Sequence, residues 1–209
     1  MKKITGIKLE KGKKQVRLYL DGKLALNLEA ELAAEKGLKT GKELSEEELS
    51  ELTDRNSYQK CLNAALKFLA YRPRSEFEVR ERLKRRGFIQ EDIDKVMDKL
   101  KGQGFIDDSA FAEYWRENRE SFSPRSRYLT ATELARKGVK GAVIDEAVSG
   151  MDNSENAYRA ALGKAHRLSR ADHEVFRTRL VGYLRRRGFN YDVINSTIEK
   201  IWRELADKT

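Results

Sequence analysis

Three segments of the sequence repeat at a nearly constant interval, and this repeat restricts the fold more than any other feature. They read LKRRGFIQEDIDKVMDKL from Leu83, LARKGVKGAVIDEAVSGM from Leu134 and LRRRGFNYDVINSTIEKI from Leu184. Their glycines, at positions 87, 138 and 188, are spaced by 51 and 50 residues. A fixed period of this length indicates a tandem array of similar structural units.

Each repeat is predicted to contain three helices. In the first repeat, one helix ends near Ala70, a second covers residues 75–86 and a third covers residues 90–101. The third helix carries an apolar stripe at i, i+3, i+4 and i+7, and the stripe recurs in the later copies. Its members are Ile93, Val96, Met97 and Leu100, then Ile144, Ala147, Val148 and Met151, then Ile194, Thr197, Ile198 and Ile201. We therefore predict a mostly α protein whose three tandem three-helix repeats form an elongated array, straight or curved.

The N-terminal segment differs from the rest. The stretches QVRLYL and KLALNL flank Asp21-Gly22, a strong hairpin signal, and ITGIKLE before them is a candidate third strand. A helix is expected near residues 29–36, and Ser45 with Glu48 forms a capping box that opens another short helix. The predicted divisions are 1–56 for the β-hairpin with short helices, then 57–106, 107–152 and 153–209 for the three repeats.

Composition restricts the function classes. The net charge is +9, and residues 58–209 carry 31 basic and 23 acidic side chains. This excess of positive charge favours a polyanionic partner; the alternative is a surface that only keeps the protein in solution.

The single cysteine, Cys61, excludes an internal disulfide and a thiolate zinc cluster. No signal peptide, membrane span or nucleotide-binding motif is present, so we expect a cytoplasmic protein without membrane contact. We predict no enzyme activity, and no catalytic, cofactor or metal residues.

The basic tripeptides before the glycines admit two roles. Basic side chains in a last turn oppose the negative end of the helix dipole, and glycine provides the left-handed cap. The first and third copies have more basic residues than capping needs, so a partner contact is also predicted there. The candidates are Lys84, Arg85 and Arg86, and Arg185, Arg186 and Arg187.

Paired arginines lie at the two prolines of the chain: Arg72 and Arg74 flank Pro73 in RPRS, and Arg125 and Arg127 follow Pro124 in SPRSR. Both turns join the first helix of a repeat to the second, so the pairs are candidate partner contacts at matching positions. Tyr71 and Phe122 precede the turns, either as stacking groups or as core aromatics that close each bundle.

Adjacent carboxylates, Asp107 and Asp108, precede the apolar-periodic run that contains Phe111 and Trp115. Such a pair is typical of a helix N-cap and its neighbour rather than of a metal or acid–base site. Phe111 and Trp115 lie at i and i+4, and we expect both in the buried stripe of that helix.

Two segments, AYRPRSEFEVRERLKRRGF and VMDKLKGQGFIDDSAFAEYWRENR, resemble the RecX family, and the similarity spans about residues 58–205. The residues that match the family pattern are Tyr71, Arg72, Pro73, Arg74, Ser75, Glu76, Leu83, Gly87, Leu100, Asp107, Asp108, Phe111 and Ala112. The later repeats are recognised mainly by their period.

The resemblance implies a non-enzymatic regulator of the bacterial RecA recombinase. Such a protein lies in the groove of the RecA–DNA filament and suppresses ATP hydrolysis, strand exchange and co-protease activity. We also expect a monomer whose contacts with nucleic acid are weak and non-specific. The alternative is a stand-alone DNA-binding helical module, since three-helix units are similar to helix-turn-helix domains.

Overall fold

The computed structural model describes residues 1–10, 12 and 14–206, which are mostly helical. The strands are β1 (Lys2–Leu9), β2 (Gln15–Leu20), β3 (Lys23–Glu29) and β4 (Glu43–Leu44). The helices are α1 (Ala30–Glu35), α2 (Glu46–Leu69), α3 (Glu76–Lys84), α4 (Gln90–Gly102), α5 (Asp108–Phe122), α6 (Arg127–Arg136), α7 (Gly141–Val148), α8 (Asn153–His166), α9 (His173–Arg185) and α10 (Tyr191–Ala206). Two compact units result: Met1–Arg72 with Val79–Phe105, and Pro73–Glu78 with Ile106–Thr209.

The first unit contains an antiparallel sheet with the strand order β3-β2-β1-β4. The predicted hairpin joins β2 to β3, and its turn residues Asp21 (φ 47°) and Gly22 (φ 83°) both have the positive φ of a type I′ turn. The predicted third strand, β1, is confirmed. The two-residue β4 was not predicted, because so short a strand has no periodicity to read. Ile4, Leu18 and Leu28 are fully buried beneath the sheet.

Helix α2 begins at the predicted capping box, but the expectation of a short helix there is wrong. Ser45 Oγ accepts from Glu48 N at 3.0 Å, and Ser45 N donates to Glu48 Oε2 at 2.8 Å. The helix then runs for 24 residues, because neither glycine nor proline occurs between Ser45 and Pro73. The predicted division at 56/57 therefore falls inside a helix.

The two halves of α2 serve different cores. Leu52 packs in the sheet core, and Asn56 bridges to β3 by donating to Asn27 O at 2.9 Å and accepting from Glu29 N at 3.1 Å. Cys61 and Ala65, farther along, are fully buried in the part of α2 that packs with α4. A single helix thus connects the strands to the first repeat.

The three-helix repeats are confirmed. The first consists of the second half of α2 with α3 and α4, the second of α5, α6 and α7, and the third of α8, α9 and α10. Every residue of the three predicted apolar stripes is buried. The elongated form of the array stays a prediction. Among the described residues, no helix combines the length and the apolar character needed to cross a membrane.

Helices α3, α6 and α9 end alike. Gly87, Gly138 and Gly188 have φ angles of 82°, 78° and 83°, in the left-handed region that glycine adopts without strain. The residue after each glycine donates back to the helix, for example Val139 N to Leu134 O at 3.2 Å. The prediction that the three basic segments end helices is therefore confirmed.

Candidate partner-binding surface

The Pro-Arg-Ser turns connect successive repeats in the second unit. Ser75 Oγ accepts from Glu78 N at 3.1 Å, which caps α3, and it donates to Lys137 O at 2.6 Å at the end of α6. In the next repeat, Ser126 Oγ accepts from Leu129 N at 3.1 Å, and Ser126 N donates to Arg187 O at 3.0 Å. Each serine turn thus docks on the basic end of the second helix of the following repeat.

The glycines of these basic ends differ in their surroundings. A Cβ on Gly138 would overlap the side chain of Phe77, and one on Gly188 would lie 2.5 Å from Ser126 Oγ. A Cβ on Gly87 would meet nothing within 4 Å, because no repeat precedes the first. Close packing as well as backbone conformation therefore requires glycine at positions 138 and 188, whereas only conformation requires it at 87.

The acidic pair Asp107 and Asp108 has a structural role at the same joint. Asp107 Oδ1 caps its own helix by accepting from Ser109 N at 2.8 Å and Ala110 N at 3.1 Å. Asp108 Oδ1 accepts from Glu76 N at 2.8 Å, and so caps α3 of the preceding repeat. The prediction of an N-cap and its neighbour is confirmed, with a second capped helix in addition.

The same pair of helix caps recurs 45 residues later, and the sequence pattern did not lead us to predict it. Asp152 Oδ1 accepts from Ser154 N at 2.8 Å, and Asn153 Oδ1 accepts from Arg127 N at 2.8 Å. The signal was the match between Asp107-Asp108-Ser109 and Asp152-Asn153-Ser154. Its spacing differs from the 51 and 50 residues that separate the glycines, so a search at that period passes over it.

The paired arginines of the two turns are largely held within the protein. Arg74 lies 3.9 Å from the Glu78 carboxylate, and Arg125 forms an ion pair with Glu133. Arg127 donates to Ser149 O at 2.6 Å and to Met151 O at 3.1 Å, at the end of α7. Arg72 is half-buried. Because most of these arginines already make contacts within the protein, more exposed basic side chains are better candidates for binding a partner.

The basic tripeptides divide between exposed and half-buried groups. Lys84, Arg85 and Arg86 are exposed in the first unit, and Arg185 and Arg186 are exposed in the second. Arg187 is half-buried, and its guanidinium lies 3.8 Å from the centre of the Tyr183 ring. In the third copy, Arg187 is therefore less accessible to a partner than Arg185 and Arg186.

A basic cavity of about 770 Å³ lies in the first unit. Cations contribute to its wall from the sheet, from α2 and from the end of α3, namely Lys14, Lys60, Lys67 and Arg86, beside Phe88. Glu29 and Glu31 also line it, and the Glu29 carboxylate accepts from Gln15 Nε2 at 2.8 Å and Asn63 Nδ2 at 3.0 Å. The exposed end of the first tripeptide thus borders a concave, mostly cationic surface.

Aromatic side chains at the turns face solvent. Tyr71 is 77% exposed and Phe122 is 83% exposed, so the alternative that they close the bundle cores is wrong. Tyr128, in the first turn of α6, is 74% exposed. Aromatic side chains are enriched at protein interfaces, so these three are candidate contact groups.

Trp115 packs against the core of the second repeat, as the predicted stripe implies, but it also takes part in a polar network. Phe111 is buried as predicted, but Trp115 is only half-buried, because its indole Nε1 donates to Glu133 Oε2 at 2.9 Å. The guanidinium of Arg119 lies 4.4 Å from the centre of its ring, and the ammonium of Lys137 lies 4.2 Å from it. Burial lowers the pKa of the Arg119 guanidinium.

No group of three or more potential metal ligands occurs in the described residues. Cys61 is buried, and burial, with a smaller effect from the Asp92 carboxylate, raises the pKa of its thiol to about 11. A thiol of this kind is a poor nucleophile at neutral pH.

Comparison with known proteins gives a consistent result. Residues 61–100 match the family model described as RecX, first three-helix domain, and residues 152–198 match RecX, third three-helix domain. The chain is similar to Regulatory protein RecX of Clostridium botulinum (30% identity; 99% of this chain, 100% of the relative). It is also similar to the protein of that name from Chlorobium phaeobacteroides (34% identity; 69% and 95%).

Solved structures share the fold. A crystal structure of regulatory protein RecX aligns with a TM-score of 0.63 at 24% identity, covering 95% of this chain and all of the other. RecX from Lactobacillus salivarius aligns with a TM-score of 0.59 at 23% identity, covering 70% and 97%.

Proposed function

This chain belongs to the RecX family, and from that premise we propose that it regulates a RecA-type recombinase without catalysing a reaction. In this proposal it binds along the groove of the RecA–DNA filament and suppresses ATP hydrolysis, strand exchange and co-protease activity. It acts as a monomer, and its own affinity for nucleic acid is weak and non-specific.

One observation carries the proposal: exposed basic and aromatic side chains recur at equivalent positions of the repeats. Lys84 and Arg85 correspond to Arg185 and Arg186, and Tyr71 corresponds to Phe122. A partner that is itself a repeating assembly, such as a protein filament on DNA, offers acidic groups and phosphates at regular intervals. Arginine suits such contacts because its planar group binds carboxylate or phosphate through two hydrogen bonds.

The test is RecA ATPase on single-stranded DNA with a stoichiometric excess of this protein. We expect inhibition, and we expect Arg185→Glu with Arg186→Glu to reduce it about tenfold or more, because reversed charges repel the filament. The matched control, Arg159→Glu with Arg203→Glu, changes the same charge at exposed positions on α8 and α10.

Unchanged ATPase in the presence of the wild-type protein would sink the proposal. DNA binding that is tight, steeply salt-dependent and indifferent to RecA would favour the alternative of a stand-alone DNA-binding module. Full inhibition by the reversed variant would mean that Arg185 and Arg186 only stabilise the end of α9 and do not contact the filament.

A further inference from the structure

The first repeat lacks a contact that the other two repeats receive. In the second repeat, the end of α6 lies against the start of α3, where Phe77 packs on Gly138. In the third, the end of α9 lies against the start of α6, where a Cβ on Gly188 would be 2.7 Å from Leu129 Cβ. Among the described residues, apart from its neighbours in the chain, nothing lies within 4 Å of a Cβ placed on Gly87. We call residues 84–88, at the end of α3, the open end.

The open end has the groups that the internal joints use. At the joint of the second and third repeats, Arg187 O accepts from Ser126 N at 3.0 Å. Arg86 has the same position before its glycine, and its carbonyl accepts no hydrogen bond from the described part of the chain. Arg86 and Phe88 also border the mostly cationic cavity of about 770 Å³. The open end therefore offers space, an available acceptor and positive charge.

The third repeat has a turn of the complementary kind, with no repeat after it. Asp172 precedes α9 as Ser126 precedes α6, but the Asp172 carboxylate does not cap its own helix. Asp172 and Glu174 are exposed, and Val175 is 42% exposed. Val175 lies three residues after Asp172, as Leu129 lies three residues after Ser126. We call residues 172–175 the third turn.

The third turn complements the open end in charge. Asp172 and Glu174 are negative, whereas the basic tripeptide of the open end is positive. Glu78 already makes such an ion pair within the chain, at 3.0 Å from Lys137, the residue before Gly138. Arg170 lies two residues before the cap, as an arginine also precedes the serine of each internal joint. Opposite charges at short range therefore favour contact between the third turn and the open end.

The position of the third turn on its helix also matches the internal joints. The cap of α9 lies 16 residues before its glycine, and the cap of α6 lies 12 residues before its own. The four additional residues make about one helical turn, so the third turn stays on nearly the same side of the helix.

We propose that the third turn of one molecule docks on the open end of a second copy, head to tail, as successive repeats dock within the chain. The amide of Asp172 donates to the Arg86 carbonyl, its carboxylate pairs with the Arg86 guanidinium, and Val175 covers Gly87. Because the two surfaces differ, each added molecule leaves one of each unused, and association continues beyond a dimer. The contact requires neither RecA nor DNA, so it goes beyond the regulatory function proposed above and can fail or succeed separately.

The strength of the association follows from the size of the contact. One joint is a small interface, and small interfaces are weak, so we expect a Kd on the order of 0.1 mM. At lower concentrations the free protein is a monomer, in agreement with the regulatory function proposed above.

The experiment is analytical ultracentrifugation of the full chain, from well below to about tenfold above that Kd. The average mass of the wild type is expected to rise with concentration beyond that of a dimer. Arg86→Glu and Asp172→Arg should each weaken association about tenfold or more, because each brings like charges together. An equimolar mixture of the two variants should associate again, since each supplies the surface that the other lacks.

Matched controls are Arg159→Glu and Asp192→Arg, which make the same charge changes at exposed positions of α8 and α10. Both should associate as the wild type does. Arg86 and Asp172 are exposed, so their variants should fold, and urea denaturation verifies this.

Four outcomes would overturn the proposal. They are a wild type that stays monomeric throughout, a mass that stops at a dimer, variants that associate as the wild type does, and a mixture that stays monomeric. If the monomeric wild type instead binds polyglutamate and Arg86→Glu does not, the open end belongs to a different acidic partner.

Discussion

At the scale of single residues, the same amino acid has different constraints at equivalent positions of the repeats. Gly87, Gly138 and Gly188 share a left-handed backbone, yet only the last two lie against the turn of a preceding repeat. The sequence pattern predicts the shared conformation, because each glycine follows a basic last turn. It does not predict the contact with Phe77 or Ser126, which joins residues about 60 positions apart.

Alanine substitution separates these two constraints. Gly87→Ala should lower the free energy of unfolding by about 1–2 kcal/mol, the cost of a left-handed alanine. Gly138→Ala should lower it by about 2–4 kcal/mol, because overlap with Phe77 adds to that cost. Urea denaturation of the two variants measures the difference. Equal losses would mean that Phe77 moves aside freely.

The Cys61 thiol predicts a pH dependence of stability. Its folded pKa is about 11, above the ordinary value of about 8.5 that the unfolded chain has. The unfolded thiol therefore ionises first, so stability is complete below about pH 8.5 and is lost as pH rises towards 11.

We expect this effect to cost about 1 kcal/mol at pH 9.5 relative to pH 7.5. The measurement is urea unfolding of the wild type and of Cys61→Ala at both pH values, because the alanine variant lacks the titrating group. The same loss in both proteins would assign it to other groups.

At the scale of helices and strands, local patterns predict the elements and their buried faces better than their ends. The stripes of α4, α7 and α10 follow from the helical period, and the β2–β3 hairpin follows from Asp21-Gly22. The full length of α2 was not predicted, because its buried residues pass from the sheet core to the first repeat and its two halves therefore read as separate helices. The sequence analysis named the arginines as candidate partner contacts. It did not predict their ion pairs, because these involve residues such as Glu133 that belong to no motif.

The acidic pair gives a prediction about helix caps. Asp107→Ala and Asp108→Ala should each lower the free energy of unfolding by about 1 kcal/mol, since each removes a cap. They should differ in location: amide exchange should accelerate at Ser109 and Ala110 in the first variant, and at Glu76 in the second. Hydrogen exchange measured by NMR distinguishes them. Faster amide exchange at Glu76 in the Asp107 variant, and not in the Asp108 variant, would contradict this assignment of the two caps.

At the scale of the whole molecule, the joints between successive repeats lie within the second unit. Helix α6 takes part in two of them: its end receives the turn of Ser75, and its beginning is capped by Asn153. Its ten residues separate the two by about 15 Å, which is beyond the range at which substitutions usually interact. The repeats should therefore couple only to their neighbours.

A double-mutant cycle tests this coupling. Asp108→Ala and Asn153→Ala each remove one cap, at successive joints. Their effects on the free energy of unfolding should add to within about 0.5 kcal/mol in the double variant. An interaction energy above about 1 kcal/mol would indicate that α6 transmits strain from one joint to the other.

The second repeat carries both halves of a joint, its own serine turn and its own glycine-ended basic helix. A gene duplication that copied this repeat whole would therefore supply the new copy with partners on both sides. A copy that ended between the serine turn and the basic helix end would lack one of these two partners. The repeat, rather than the single helix, is thus the unit by which chains of this architecture can lengthen during evolution.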